Sequence, residues 1–461
     1  MKWALCFLCL GMHVALIRSN RPHIHPFLLM YVNKTQSDDQ VNNKTFLPPL
    51  AEFLKLQARM VPDSGSSDDE DQAHPKTKQI WLKERNTKLQ AVAISQTENT
   101  VVLLNHAFPP NRCADLVLSP LQIYSSLAAL SLGAANATAQ IFHDILGFTS
   151  SSQVTTANLR EKDASVRQLN DFLLSWLPGR YLSTRNWIFV QRDIKVLESF
   201  AVNAKEFYNV NLLAIDFTHT PLAEQLINRY MHNASGGGRV KDPVIGLSPT
   251  ATMMSASYME FKGKWKKAFE SHTTELQDFF IEEDRRIRVP TMSQAGWFQG
   301  IVAHEYTAIK LPMAGSTSMT IVQPVKVDLM QKIHRKLPIR TIFEQLQSRF
   351  VKVSLPKFKL DTTYNIKDIF LRMKGPDAFS SEADFSRLSN DGRLKPDKVI
   401  NNINFELTED WEEPVAQGNV QFNNATEIKI NRPFLFHVYD DVSNTLLFVG
   451  RVKNLTEYDQ N

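Results

Sequence analysis

Asn186-Trp187-Ile188-Phe189-Val190-Gln191 sets apolar β-branched and aromatic side chains in an unbroken run between two polar residues. Such a run is what a strand buried on both faces needs. Toward the C-terminus, Phe434-Leu435-Phe436-His437-Val438-Tyr439-Asp440 and then Thr445 to Arg451 read as two strands around a short turn. Toward the N-terminus, Ser119-Pro120-Leu121-Gln122-Ile123 opens a helix, with Ser as cap and Pro at the first helical position, running through Leu127, Leu130 and Leu132. Phe172, Leu173 and Leu174 belong to a further helix. Helix and strand patterns mix without a regular βαβ alternation and without an internal repeat, which argues an α+β fold.

The 461 residues would make two or three average domains by length. A formal net charge of +4 is too small to argue for nucleic acid or a membrane as partner. Lys262, Lys264, Lys266 and Lys267 do cluster; they suit either contact with an acidic polysaccharide or a solvated strand end, and the solvated end is the simpler reading. No G-x-S-x-G, H-E-x-x-H or phosphate loop occurs, and 12 scattered His make no site, so the chain reads as no enzyme, with no catalytic residue, cofactor or metal.

Residues 1–19 read as a signal peptide: Lys2 gives the positive start, Trp3 to Ile17 the apolar run, and Ser19 a small residue at the cut before Asn20. Secretion to the extracellular space follows, and Cys6 and Cys9 leave with the leader. Cys113 is then the one remaining thiol, so no internal disulfide forms. Asn33, Asn43, Asn136, Asn233, Asn424 and Asn454 each begin an N-x-[ST] glycosylation triplet. Residues 30–86 read as a glycosylated flexible tail, with the acidic stretch Pro62 to Asp71 too poor in apolar surface to fold and a short amphipathic piece from Leu50 to Met60.

From about residue 87 onward a series of segments resembles the serpin family. It runs through Ser119-Pro120-Leu121, Leu132-Gly133-Ala134, Asn186 to Gln191, Ile227-Asn228 and Phe261-Lys262-Gly263-Lys264-Trp265. It continues with Val289-Pro290-Thr291-Met292, Leu355-Pro356-Lys357-Phe358, Ala383-Asp384-Phe385-Ser386 and Asn431-Arg432-Pro433-Phe434-Leu435-Phe436. The resemblance implies one serpin domain over 87–461, with three β-sheets, about nine helices and an exposed reactive-centre loop from about Thr408 to Asn424. It also implies the family's spring, in which a cleaved loop inserts as a new central strand. Phe405 to Asp410 is then the departing strand and Trp411-Glu412-Glu413-Pro414 the hinge, where inhibitory members resemble one another in carrying Gly, Thr, Glu and Ala. Asn401 stands where such members have a His beneath the opening sheet. An inserted Pro414 lacks the N–H for a central ladder. An inserted Glu412 would bury a carboxylate, and Trp411 replaces a residue of great backbone freedom. The penalties sum to about 5 kcal/mol or more against insertion, so a disabled spring is expected.

The ten residues Asn20-Arg21-Pro22-His23-Ile24-His25-Pro26-Phe27-Leu28-Leu29 begin where the signal ends, and they resemble the angiotensin family of peptide hormones. Pro22 and Pro26 bias the segment to extended conformations, which suit the strand-gripping cleft of an aspartic protease. The resemblance implies cleavage of Leu29-Met30 by renin, removal of Leu28-Leu29 by angiotensin-converting enzyme, and an octapeptide Asn20 to Phe27 that meets an angiotensin receptor and raises blood pressure. Arg21, His25 and the new carboxylate on Phe27 are the implied receptor contacts. Pro22, His23 and Leu28 depart from the usual aliphatic, Tyr and His. His23 and His25 share a face of an extended chain, but two ligands are too few for a metal. The resemblance also implies, for many members, a cysteine shortly after the peptide that is disulfide-linked to the body; around Ser37 this chain has none. A hormone precursor is thus the leading expectation. A protease-inhibiting serpin and a hormone-carrier serpin are its alternatives.

Overall fold

The computed structural model describes residues 115–146, 182–235, 242–269, 271–330, 333, 339–373, 378–411, 426–442 and 445–455. The signal peptide, the hormone-like segment, the tail, Cys113, the helix expected at Phe172 to Leu174 and the hinge residues Glu412, Glu413 and Pro414 lie outside them.

The chain begins with β1 (Leu116–Leu118), α1 (Pro120–Ser131), α2 (Asn136–Ile145), β2 (Leu182–Gln191), α3 (Glu198–Tyr208), β3 (Val210–Ile215) and α4 (Thr220–Ala234). A run of strands follows: β4 (Met253–Trp265), β5 (Glu275–Phe280), β6 (Arg286–Val302), β7 (Tyr306–Pro312) and β8 (Thr317–Pro324). The last third holds α5 (Ile339–Gln345), β9 (Gln347–Pro356), β10 (Phe358–Asn365), α6 (Ile366–Met373), β11 (Pro396–Trp411), β12 (Thr426–Lys429), β13 (Phe434–Asp440) and β14 (Thr445–Val452). Among the described residues there are therefore six α-helices, fewer than the nine the sequence led us to expect.

Local chemistry explains the elements that were legible. The Ser119 hydroxyl accepts the Gln122 amide at 3.2 Å and Pro120 stands in the first turn, so α1 starts where a cap satisfies an otherwise orphaned donor. The run Trp187 to Val190 is buried in the middle of β2, which pairs with β4 on one side and β3 on the other.

Two ladders result. The five-stranded sheet has the order β10-β11-β4-β2-β3, and β11 runs parallel to β4 at its centre. The nine-stranded ladder has the order β1-β14-β13-β8-β7-β6-β9-β12, with β5 on β6. It contains the other two expected sheets, fused because the 17-residue β6 pairs with β5 and β9 along most of its length and then with β7 at Gln299–Val302.

Alternation along β11 shows how the layers stack. Ile403, Phe405 and Leu407 point into the core shared with the large ladder, while Ile400 points to the other face, where α4 covers it with Ile227 and Met231. Phe405 sits 5.1 Å from Phe261, 5.8 Å from Phe358 and 5.0 Å from Phe436, ring centre to ring centre. Such a buried ring costs about 3–5 kcal/mol to truncate. The central strand is thus anchored by its apolar face.

Candidate functional site: the seam between two central strands

The seam between β4 and β11 is where a further strand can enter this sheet. Both strands run in the same direction. A segment that leaves the end of β11 and turns back would run antiparallel to each of them, so it could pair with both at once. In this structure the seam is closed: Val399 to Leu407 lie directly against Ser255 to Gly263.

Each end of the seam is fastened. Before the strands begin, the Thr252 hydroxyl donates to the Arg393 carbonyl at 2.8 Å and accepts the Lys395 amide at 3.2 Å. The Ser248 amide donates to the Asp397 carboxylate at 3.1 Å. At the far end the fully buried Trp265 donates its indole N–H to the Thr408 carbonyl at 2.8 Å. Glu409 takes an ion pair from Lys357 at 2.9 Å and a hydroxyl proton from Thr274 at 2.7 Å. Burial raises the Glu409 carboxyl, but the bonds to Lys357 and Thr274 and the Lys357 charge outweigh it and hold it below the usual carboxylate value.

Gly263 lets the strands approach. A Cβ there would come within 2.7 Å of both Leu407 Cδ1 and Met313 Cε, so the missing side chain gives Leu407 its place across the seam. Beyond Leu407 the register shifts: four steps on β11 to Trp411 match two on β4 to Trp265. The extra residues form a bulge whose Glu409 reaches Lys357 and Thr274.

Under the middle of the seam, polar groups meet. Ser126 on α1 donates toward Asn401 Oδ1 at 3.4 Å and lies 3.3 Å from the Ser257 hydroxyl. Asn401, a residue of β11 itself, is fully buried. Gln122 donates to the Asn402 carbonyl at 3.2 Å, tying α1 to β11. Burial pushes the phenol of neighbouring Tyr364 above its ordinary value.

The expected site residues fall as follows. Trp411 is the last residue of β11, so the strand includes Thr408, Glu409 and Asp410, in line with the departing strand read from Phe405 to Asp410 and beyond the loop start read at about Thr408. The pairing with Trp265 and the Glu409 contacts hold it down. Asn136 opens α2 with φ 48°, and its side-chain amide donates to Asp384 at 2.8 Å; Thr138 of the same triplet accepts the Asp384 amide at 2.9 Å. Asn233 is exposed in the last turn of α4. Asn454 follows β14, its backbone N–H bonded to Asp115 at 2.8 Å and its side-chain oxygen buried without a partner. Asn33, Asn43 and Asn424 lie outside the described residues, as do Ser19, Asn20, Arg21, Pro22, His23, Ile24, His25, Pro26, Phe27, Leu28, Leu29 and Met30.

Sequence reasoning missed the roles of Trp265, Thr274, Lys357 and Glu409. Trp265 and Lys357 stood inside quoted motifs, but nothing in their spacing told that they meet the end of one strand. Among the described residues no helix is long and apolar enough to cross a membrane, and no group of three or more His, Cys, Asp or Glu could hold a metal.

Comparison with known proteins agrees with this architecture. The family model described as "Serpin (serine protease inhibitor)" matches residues 95–455. Serpin A12 of Rattus norvegicus is 24% identical over 406 residues, 87% of this chain and 95% of its own. Corticosteroid-binding globulin of Homo sapiens is 25% identical over 373 residues, covering 79% and 91%. The crystal structure of mouse protein-Z dependent protease inhibitor superposes with a TM-score of 0.72 at 24% identity, over 80% of this chain and all of that one. The chain belongs to the serpin family.

Proposed function

We propose that this serpin is a secreted precursor of a vasoactive peptide, of the angiotensinogen type, and that its body is a scaffold whose spring does not fire. The observation that carries the reading is the stretch Ile24-His25-Pro26-Phe27, directly after a signal end, on a serpin whose hinge reads Trp-Glu-Glu-Pro. A renin-type aspartic protease cuts Leu29-Met30 and frees residues 20–29. Converting enzyme then trims the product to residues 20–27, which an angiotensin receptor binds. An entering strand must break the ladder between β4 and β11. The same ladder has to break in any serpin of this topology, so the hinge residues Glu412 and Pro414 make the difference.

The test is incubation of the whole chain with renin and mass spectrometry of the small products. A decapeptide ending at Leu29 is expected; cleavage only at other bonds defeats the assignment. The family's description as serine protease inhibitor favours one rival reading. A covalent complex with a serine protease that survives boiling in detergent would establish it.

A further inference from the structure

β3 closes one end of the five-stranded sheet, pairing with β2 on one side and with no strand on the other among the described residues. Its sequence, Val210-Asn211-Leu212-Leu213-Ala214-Ile215, carries no charge. An open, mostly apolar strand edge without charge is a template for pairing with another chain. Other strands at sheet ends carry what this one lacks. β12 is four residues long and holds Glu427 and Lys429. At the far end of the same sheet, β10 holds Lys359 and Asp361, and the Val117 amide of β1 donates to its Thr362 hydroxyl at 3.2 Å.

One charge does stand over the edge of β3, and it comes from outside the strand. Val210 and Leu212 face α3 and share a core with its Ala201, Ala204 and Phe207, while Leu213 and Ile215 face α4 with its Ile227 and Met231. Asn211 is exposed and by alternation stands on the α4 side, opposite Trp187. Lys205 lies on α3, yet its ammonium donates to Asn211 Oδ1 at 3.1 Å as well as to Asn209 Oδ1 at 2.7 Å. β2 occupies the inner edge of β3, so this side chain passes from one face of the sheet to the other around the open edge. Both acceptors are neutral amides and leave the positive charge uncancelled. Burial lowers the Lys205 ammonium below its ordinary value, as desolvation of an unpaired cation should.

We propose that Lys205 is a guard on this edge, keeping a second copy of the chain from adding its own β3 to the sheet. Two copies of one edge strand meet antiparallel across a two-fold axis. That pairing would press each ammonium against a partner strand that has no carboxylate to offer, and would bring the two like charges within ~10 Å of each other, about three residues along the ladder. A strand bearing Asp or Glu would meet no such penalty. The guard therefore acts against the chain's own copy, whose concentration at the edge is highest during synthesis and secretion.

The experiment follows self-association of the whole chain by sedimentation velocity, with folding checked by circular dichroism. Lys205→Met keeps the apolar stem and the helix propensity but removes the charge. It should lower the dimer dissociation constant about tenfold or more, because an unpaired charge no longer has to be buried. Lys205→Gln should do the same, whereas Lys205→Arg keeps the charge and should behave as the unsubstituted chain. Lys267→Met is the control: it removes another lysine whose printed bond is to a neutral oxygen, the Ala295 carbonyl at 2.7 Å, and should change nothing. In the associated variant, deuterium exchange of the amides at 210–215 should slow. Folded Met and Gln variants that associate no more tightly overturn the guard. So does equal association of Lys205→Arg or Lys267→Met, and so does tighter association without slower exchange at 210–215.

Discussion

Asn404 carries a polar side chain into a place that gives it nothing to bond. It is 1% exposed, and neither its side-chain oxygen nor its nitrogen has a partner, whereas Asn402 two residues earlier donates to Asp361 at 3.0 Å and to Thr363 at 2.7 Å. A buried amide left unbonded costs about 1–3 kcal/mol, and replacing it with an apolar group of similar shape removes that cost. Val also suits a strand better than Asn. Asn404→Val should therefore leave stability unchanged or raise it by up to about 2 kcal/mol in urea unfolding. A loss of more than about 1 kcal/mol would show that the amide is satisfied in solution after all. Asn402→Val differs, since it would remove the two bonds that the Asn402 amide nitrogen makes to Asp361 and Thr363.

The end of an element, beyond its apolar core, needs fastenings of its own. The end of β11 stays on the sheet through Glu409, whose partners Lys357 and Thr274 come from the connection before β10 and the turn before β5. Its carboxyl is held below the ordinary value when folded, so its contribution is complete above the unfolded carboxylate pKa and is lost as pH falls through the folded one. Glu409→Gln should thus lower the thermal midpoint at pH 7, by the few degrees that about 1–2 kcal/mol represents in a domain of this size. The gap to the unsubstituted chain should close below about pH 4, where the native carboxyl also begins to protonate. Equal destabilisation at pH 7 and pH 3 would show that the charge plays no part. Elements written in local chemistry could be read from sequence. The Ser119-Pro120 start fixed α1, apolar runs marked β2, and the hairpin of β13 and β14 fell within a residue of its expected bounds. What could not be read was set by pairing across distance. The fusion of two sheets through β6 depends on three partners from different parts of the chain. Trp411 looked like a loop residue because its pairing with Trp265 and the bulge beside it leave no local mark.

For the whole molecule, the question is whether cutting the segment 412–425 releases energy. In a firing serpin that segment would become a strand between β4 and β11, gaining a full ladder on each side in exchange for the single one now present. Here the entering residues begin with Glu412 and Pro414, one a carboxylate and the other unable to donate, and β11 ends on Trp411 rather than on a residue of free backbone. A penalty of about 5 kcal/mol translates into about 6–7 °C, at about 1.3 °C per kcal/mol for a domain that spans residues 95–455. Nicking the unsubstituted chain within 412–425 should accordingly leave its thermal midpoint within about 3 °C of the intact value. Nicking the triple variant Trp411→Gly/Glu412→Thr/Pro414→Ala should raise the midpoint by about 6 °C or more, because the sheet itself has the topology to accept a strand. The two results separate the loop from the body. A rise of that size in the unsubstituted chain would mean that the seam opens despite the hinge, and the scaffold reading would fall with it. No rise in the variant would place the lock instead in the fastenings at Thr252, Asp397, Trp265 and Glu409.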